Sequence, residues 1–313
     1  MRSLKPELTR PQAMSRDTLQ RGRFATLLFL GAIALLGGKA FSNALPSDRH
    51  QSIPKDDLAV SMPVSFDDLL ALANDGTAPQ TFSYGQAAQQ SLLRFHSPAS
   101  TRGTLLIIHG GCWSNAYDRQ HATPMARALA QVGYDVWLAE YRRVGDPGGG
   151  WPGSVTDIVL ATQQVAALSG DHPWLIGHSA GGHLALLSAT DPTLPIKGTL
   201  ALAAITNLAT YARQEGSCQS MVTEFMGGPP KSHPDRYTSA SVHNKVFPKP
   251  THLILGEADA IVGPDQLTGL SDTSTQMIAE SGHFDLIHPA TAAFEQVLKA
   301  LEYLMQTGST SGG

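Results

Sequence analysis

Two cysteines, Cys112 and Cys218, are all that this 313-residue chain contains. Two thiols cannot build a disulfide framework, and they exclude zinc modules made of cysteine pairs; the default reading is two free thiols, with one bridge as the alternative for an exported chain. Charge is also sparse: 15% of residues are Asp, Glu, Lys or Arg, and the net charge is -4. Without a basic block to meet phosphates, nucleic acid is not an expected partner. There is no H-E-x-x-H or comparable histidine spacing, so neither a metal nor another cofactor is expected. The glycine-rich stretch GDPGGGWP at 145–152 lacks the Gly-Lys-Ser/Thr that would make it a phosphate cradle. No internal repeat is visible.

The N-terminal region is different in kind. The uncharged run FATLLFLGAIALL at 24–36 follows Arg21 and Arg23 and ends before Lys39. It is shorter than the roughly 20 residues that span a bilayer. With its basic flank and small residues at which a peptidase could cut, after Ala40 or after Ala44, it has the pattern of a signal peptide within residues 1–44, and the chain is expected to be exported. The alternative is an uncleaved N-terminal anchor, which would then be the chain's sole contact with a membrane. Residues 45–83 read as a polar linker and lead-in, apart from FDDLLALAN at 66–74. A catalytic domain is expected over 84–306, with a flexible tail at 307–313.

From residue 91 onward, apolar runs of strand length alternate with helix-length segments. The strand candidates are 91–95, 104–108, 135–139, 174–177, 199–205, 251–255 and 275–279. Their continuous apolar character predicts burial on both faces, hence a mostly parallel, twisted sheet with helices on both sides: an α/β fold. Thr123-Pro124 opens one helix, and His288-Pro289 is expected to open and cap the last, in which Phe294, Val297, Leu298, Leu301 and Leu304 recur at helical spacing. Residues 206–250 break the rhythm with Gly, Pro, Ser and His. A connection this long inside a compact domain predicts a cap or lid.

Ligands of open α/β sheets sit outside the carboxyl ends of the strands. The residues just past each strand are therefore informative: HGGCW at 109–113, HSAGGH at 178–183, GEADAIV at 256–262 and ESGHFD at 280–285. Gly177-His178-Ser179-Ala180-Gly181 matches G-x-S-x-G between a strand and a helix, the setting that displays a nucleophilic serine on a strained turn. A serine hydroxyl needs a base to take its proton and an acid to hold that base. In chain order Asp259 and His283 are the candidates; Glu257, Asp265 and Asp272 compete for the acid role, and His288 for the base. The amides of Gly111, Cys112 and Ala180 are candidate donors to a developing oxyanion. His109 is expected to fix its loop. Trp113 and Trp151 either line a substrate pocket or pack the edge of the core.

HGGCW, EYRRVGDPGGGWPG, GHSAGGHLAL, GEADAIV and SGHFD together resemble the α/β-hydrolase superfamily, and within it the group of arylformamidases and bacterial feruloyl-esterase-like esterases and lipases. The likeness runs from about residue 84 to 303. It implies an α/β-hydrolase fold with a cap over 206–250, Ser179, Asp259 and His283 as a catalytic triad, and a small-molecule ester or amide as substrate. Two departures bear on the identity of that substrate: Asn207-Leu208 stands where the group commonly has Asp-Leu, and Ser241-Val242 where Ser-Pro is usual.

Overall fold

The structure, a computed structural model, describes residues 63–73, 78–96, 101–271 and 273–310, with 308–310 as backbone only. The apolar run 24–36, both candidate cleavage sites and Asp272 lie outside the described residues. Among the described residues, no helix is long and apolar enough to cross a membrane.

Among the described residues, eight strands form one sheet: β1 (Gln80–Ser83), β2 (Ser91–Phe95), β3 (Thr104–Ile108), β4 (Asp135–Ala139), β5 (Trp174–His178), β6 (Gly198–Leu202), β7 (Thr251–Gly256) and β8 (Ser274–Ile278). Their spatial order is β1-β2-β4-β3-β5-β6-β7-β8. The β1–β2 and β2–β4 pairs are antiparallel, and every other pair is parallel. Every residue of β3, β4, β5 and β6 is buried, as the unbroken apolar runs predict for strands covered on both faces. Each fully buried Leu or Ile there contributes about 1.5–3 kcal/mol relative to exposure.

The helices are α1 (Phe66–Leu72), α2 (Thr123–Gln131), α3 (Gly153–Ser169), α4 (Ala180–Ala189), α5 (Leu208–Tyr211), α6 (Ser217–Met226), α7 (Pro234–Ala240) and α8 (Ala292–Thr310). The periodic stripe of α8 lies inward, with Phe294, Val297, Leu301 and Leu304 buried.

Four expectations are corrected. The sheet begins at Gln80, within the stretch read as linker. β6 stops at Leu202 rather than 205, because Ala203 turns into the left-handed region at φ 46. His288 does not open α8: the Thr291 hydroxyl accepts from the Phe294 amide at 3.1 Å and caps a helix that starts at Ala292 and runs on to Thr310, into the segment read as tail. Cys112 and Cys218 are not free thiols. They form a disulfide with Cα atoms 5.0 Å apart, tying α6 to the loop after β3.

Candidate active site

β5 delivers the chain directly into Ser179, which has φ 55 and ψ -122 and sits immediately before α4. Such a conformation costs a non-glycine residue on the order of 1–3 kcal/mol. It is held by hydrogen bonds on both sides: the Ser179 amide donates to Leu202 O at 2.8 Å, and its carbonyl accepts from the His183 amide at 3.1 Å. The turn is packed against the neighbouring strand so closely that a Cβ on Gly181 would lie 2.2 Å from Ile108 O. This is the close approach that the second glycine of G-x-S-x-G exists to permit. The Ala180 amide, first in α4, has no intrahelical acceptor and points to where negative charge is favoured.

The structure brings Asp259 and His283 together from the ends of β7 and β8. His283 Nδ1 lies 2.8 Å from Asp259 Oδ2, and the two side chains are 5% and 0% exposed. Asp259 Oδ1 accepts from the amides of Ile261 and Val262 at 2.8 and 2.9 Å. The carboxylate is thus fixed by its own loop while its second oxygen holds the imidazole through Nδ1. The competing acids are placed elsewhere: Glu257 is exposed, and Asp265 accepts from the side chains of Gln214 and Gln266.

The loop after β3 is strained in three consecutive residues, with φ 101 at Gly111, 52 at Cys112 and 57 at Trp113. Among the described residues, no backbone carbonyl takes a hydrogen bond from the Gly111 or Cys112 amide. His109 fixes the start of the loop. Its Nδ1 donates to Gly110 O at 2.8 Å and its Nε2 contacts Glu140 Oε1 at 2.9 Å. Glu140 also accepts from the amides of Arg119 and Tyr141 and lies 3.2 Å from Arg143 Nη1. Burial pushes its carboxyl pKa up, but the charge and hydrogen bond of His109, with Arg143 and the Arg119 amide, outweigh burial and bring it down to about 2.

Trp113 is fully buried. Its indole N–H donates to His183 Nδ1 at 3.2 Å, and its ring stacks on Phe225 of α6 at 5.0 Å. Of the two readings open for it, this is the packed one. Trp151 is half-buried, and its amide donates to Phe225 O at 2.8 Å. The 206–250 segment folds as α5, α6 and α7 and is anchored to several strand-end loops. Besides the disulfide, Gln219 Nε2 and the Tyr211 hydroxyl both donate to Ile261 O, at 3.1 and 3.0 Å.

Three histidines near the turn are neutral supports. Burial lowers His183 to about 4, and its Nε2 donates to Ala240 O at 2.8 Å. Burial, followed by the charge of His109, lowers His121 to about 3. Burial and the charge of His283 lower His178 well below the usual imidazole value; its Nε2 donates to His283 O at 3.0 Å, and its Nδ1 has no partner among the described residues. Sequence reasoning assigns His178 no task. Its position beside Ser179 is the available signal, but contact with a residue 105 positions away is not written in a local motif. Among the described residues, no group of three or more His, Cys, Asp or Glu is placed to hold a metal ion.

A mostly parallel eight-stranded sheet with a serine on a strained turn after β5, and an Asp–His pair at the ends of β7 and β8, defines an α/β-hydrolase fold. Comparison with known proteins agrees. The BD-FAE family model matches residues 95–273, more than half of the chain, and the chain belongs to that family. The matched segment contains Ser179 and Asp259 and ends before His283. "Probable carboxylic ester hydrolase LipM" of Mycobacterium tuberculosis is 26% identical over 249 residues, 68% of this chain and 57% of its own length; the chain therefore spans little more than half of that curated relative. Esterase B from Lactobacillus rhamnosis shares the fold with a TM-score of 0.65 at 21% identity, covering 78% of this chain and 92% of the esterase. A tributyrin-phosphonate-inhibited form of the same esterase aligns with a TM-score of 0.64 at 21% identity, with the same coverage of 78% and 92%.

Proposed function

We propose that this chain is a serine hydrolase that cleaves a small carboxylic ester through an acyl-enzyme. The observation that carries the reading is the 2.8 Å contact between His283 Nδ1 and Asp259, with Ser179 held in a strained turn one residue from a histidine that binds the His283 carbonyl. Ser179 Oγ attacks the ester carbonyl and gives its proton to His283 Nε2. Asp259 keeps the Nδ1–H tautomer and stabilises the imidazolium that forms. The amides of Gly111, Cys112 and Ala180 receive the oxyanion; loss of one such donor typically costs about 3 kcal/mol of transition-state stabilisation. His283 then protonates the departing alcohol and, in the second half-reaction, activates the water that releases the acid. Trp151 remains the candidate for the pocket wall.

A fluorophosphonate probe tests the reading. Folded wild-type protein is expected to be labelled and Ser179→Ala is not; a folded wild type that resists the probe would leave only a hydrolase-like binding protein. The esterase assignment is tested with p-nitrophenyl esters of rising chain length, a feruloyl ester and N-formylkynurenine on one preparation. A hundredfold preference for the formamide would replace ester hydrolysis by aryl-formamide hydrolysis.

Export is part of the proposal. It is supported by the basic-flanked apolar run at 24–36 and, independently, by the Cys112–Cys218 disulfide, a bond that persists in oxidising compartments and is rare in the cytosol.

A further inference from the structure

The segment read from sequence as a lead-in is joined to the loop that carries His283. Ser65 caps α1 through a capping box with Asp68, and the preceding Val64 amide donates to Asp285 Oδ1 at 3.1 Å. The other oxygen of Asp285, a fully buried side chain two residues past His283, accepts from the Gly282 amide. Once seated there, α1 places Phe66 against rings that adjoin His283 and the loop after β3. The Phe66 ring lies 5.8 Å from Phe284 and 5.5 Å from Tyr117, both edge-on, and 5.1 Å from His121. Phe284 meets the His283 ring edge-on at 5.0 Å. Tyr117 backs onto the oxyanion loop, for a Cβ on Gly111 would come within 2.5 Å of Tyr117 Cβ. Tyr117 is nevertheless 40% exposed, so the cluster has an open aromatic surface.

These rings border the site between the base and the oxyanion loop. In acyl transfer the base hands its proton to the leaving group, which must therefore depart beside His283. We propose that Phe66, Tyr117 and Phe284 form the wall against which the leaving group rests, and that they select esters whose leaving oxygen carries a flat apolar ring. Edge-to-face and offset contacts between rings give such a wall a preference for an aryl group over a small alkyl group. The inference rests on the serine-hydrolase reading above.

The test compares kcat/KM for phenyl acetate and ethyl acetate in the full chain and its variants; intrinsic ester reactivity cancels when each variant is divided by wild type. Phe66→Ala and Tyr117→Leu are expected to lower the phenyl-over-ethyl ratio about tenfold, ~1.4 kcal/mol. The phenyl butyrate over phenyl acetate ratio, which reports the acyl side, should shift less than twofold. Phe66→Leu separates recognition from packing, because it should restore the melting temperature but not the aryl preference. Tyr303→Ala, in the second half of α8 at a residue 68% exposed, is the control and leaves both ratios at wild type. An unchanged phenyl-over-ethyl ratio in Phe66→Ala and Tyr117→Leu, a change confined to the acyl ratio, or full recovery in Phe66→Leu would overturn the proposal. A wild type that neither turns over these esters nor reacts with a fluorophosphonate would instead remove the hydrolase reading on which it stands.

Discussion

Reduction of the Cys112–Cys218 bond is expected to lower the melting temperature substantially while leaving much of the activity at 25 °C. The bond joins residues 106 positions apart. In the chain-entropy description, closing a loop of roughly 100 residues destabilises the unfolded ensemble by about 4.7 kcal/mol. A domain of this size shifts its melting temperature by about 2–4 °C per kcal/mol, so loss of the bond should lower Tm by about 10–20 °C. Activity is less exposed, because α6 keeps its other anchors: Phe225 stacked on Trp113 and Gln219 bonded to Ile261 O. The assay is calorimetry of wild type with and without a phosphine reductant, alongside Cys218→Ser, with ester turnover measured at 25 °C on the same samples. Cys218→Ser is chosen over Cys112→Ser because residue 112 also offers a candidate oxyanion donor. Equal melting temperatures with and without reductant would refute the entropic argument. Two thiols titrating in unreduced, denatured protein would refute the bond itself, and abolished turnover at unchanged Tm would mean that the bond acts on the site rather than on the unfolded chain.

Other consequences are as direct. Trp113→Phe leaves His183 Nδ1 buried without its donor and should cost about 1–3 kcal/mol in urea unfolding, whereas Trp113→Ala adds a cavity and should cost about 3–5 kcal/mol; a neutral Trp113→Phe would mean that the indole contact contributes nothing. Gly181→Ala places a Cβ against the backbone of Ile108 and His109 and is expected to give insoluble protein, while soluble protein with wild-type Tm would show that the turn can shift. The pH dependence has a definite sign. His183 and His121, at about 4 and about 3 in the folded chain against 6.5 unfolded, take up protons on unfolding, so stability is greatest above about pH 6.5 and falls as pH drops toward 4 for His183 and toward 3 for His121. Glu140, at about 2 folded, contributes above about pH 4.5 and loses that contribution as pH falls toward 2. Melting temperature should therefore be level from about pH 6.5 to about pH 9, decline below that range and fall faster below about pH 4.5; a flat profile across that acid range would contradict the buried-histidine assignment.

The central strands were legible in the sequence because each is an unbroken apolar run whose burial is decided locally. The same holds for the turn at Ser179, where glycine spacing records a close backbone approach. Asp259 and His283 could be named because each comes just after a strand, and strand ends share one edge of a parallel sheet. What escaped was set by partners far along the chain. Nothing near Cys112 indicates that α6 passes within 5.0 Å, and Trp113 looks the same in sequence whether it faces a pocket or Phe225. The stretch 63–73 read as lead-in because a helix as short as Phe66–Leu72 signals little on its own. Its meaning comes from Asp285, near the other end of the chain. β8 was found, but the burial on both faces expected of it was not: Ser274, Thr275 and Met277 are exposed because the strand lies at the edge of the sheet.

The disulfide also governs how the chain would respond to proteases in an extracellular setting. The glycine-rich loop at 145–149, exposed at Gly145, Pro147 and Gly148, lies between Cys112 and Cys218, so a cut there leaves both fragments covalently joined, with α6 still strapped to the loop after β3. A cut in the exposed GGPPKS stretch at 227–232 lies beyond Cys218. It severs the piece bearing Ser179 from the piece bearing Asp259 and His283, with no covalent link between them. The two nicks therefore differ on a non-reducing gel, and they differ in kind: after the first the proposed nucleophile, acid and base stay on one bonded assembly, and after the second their association depends on the packing of the sheet alone.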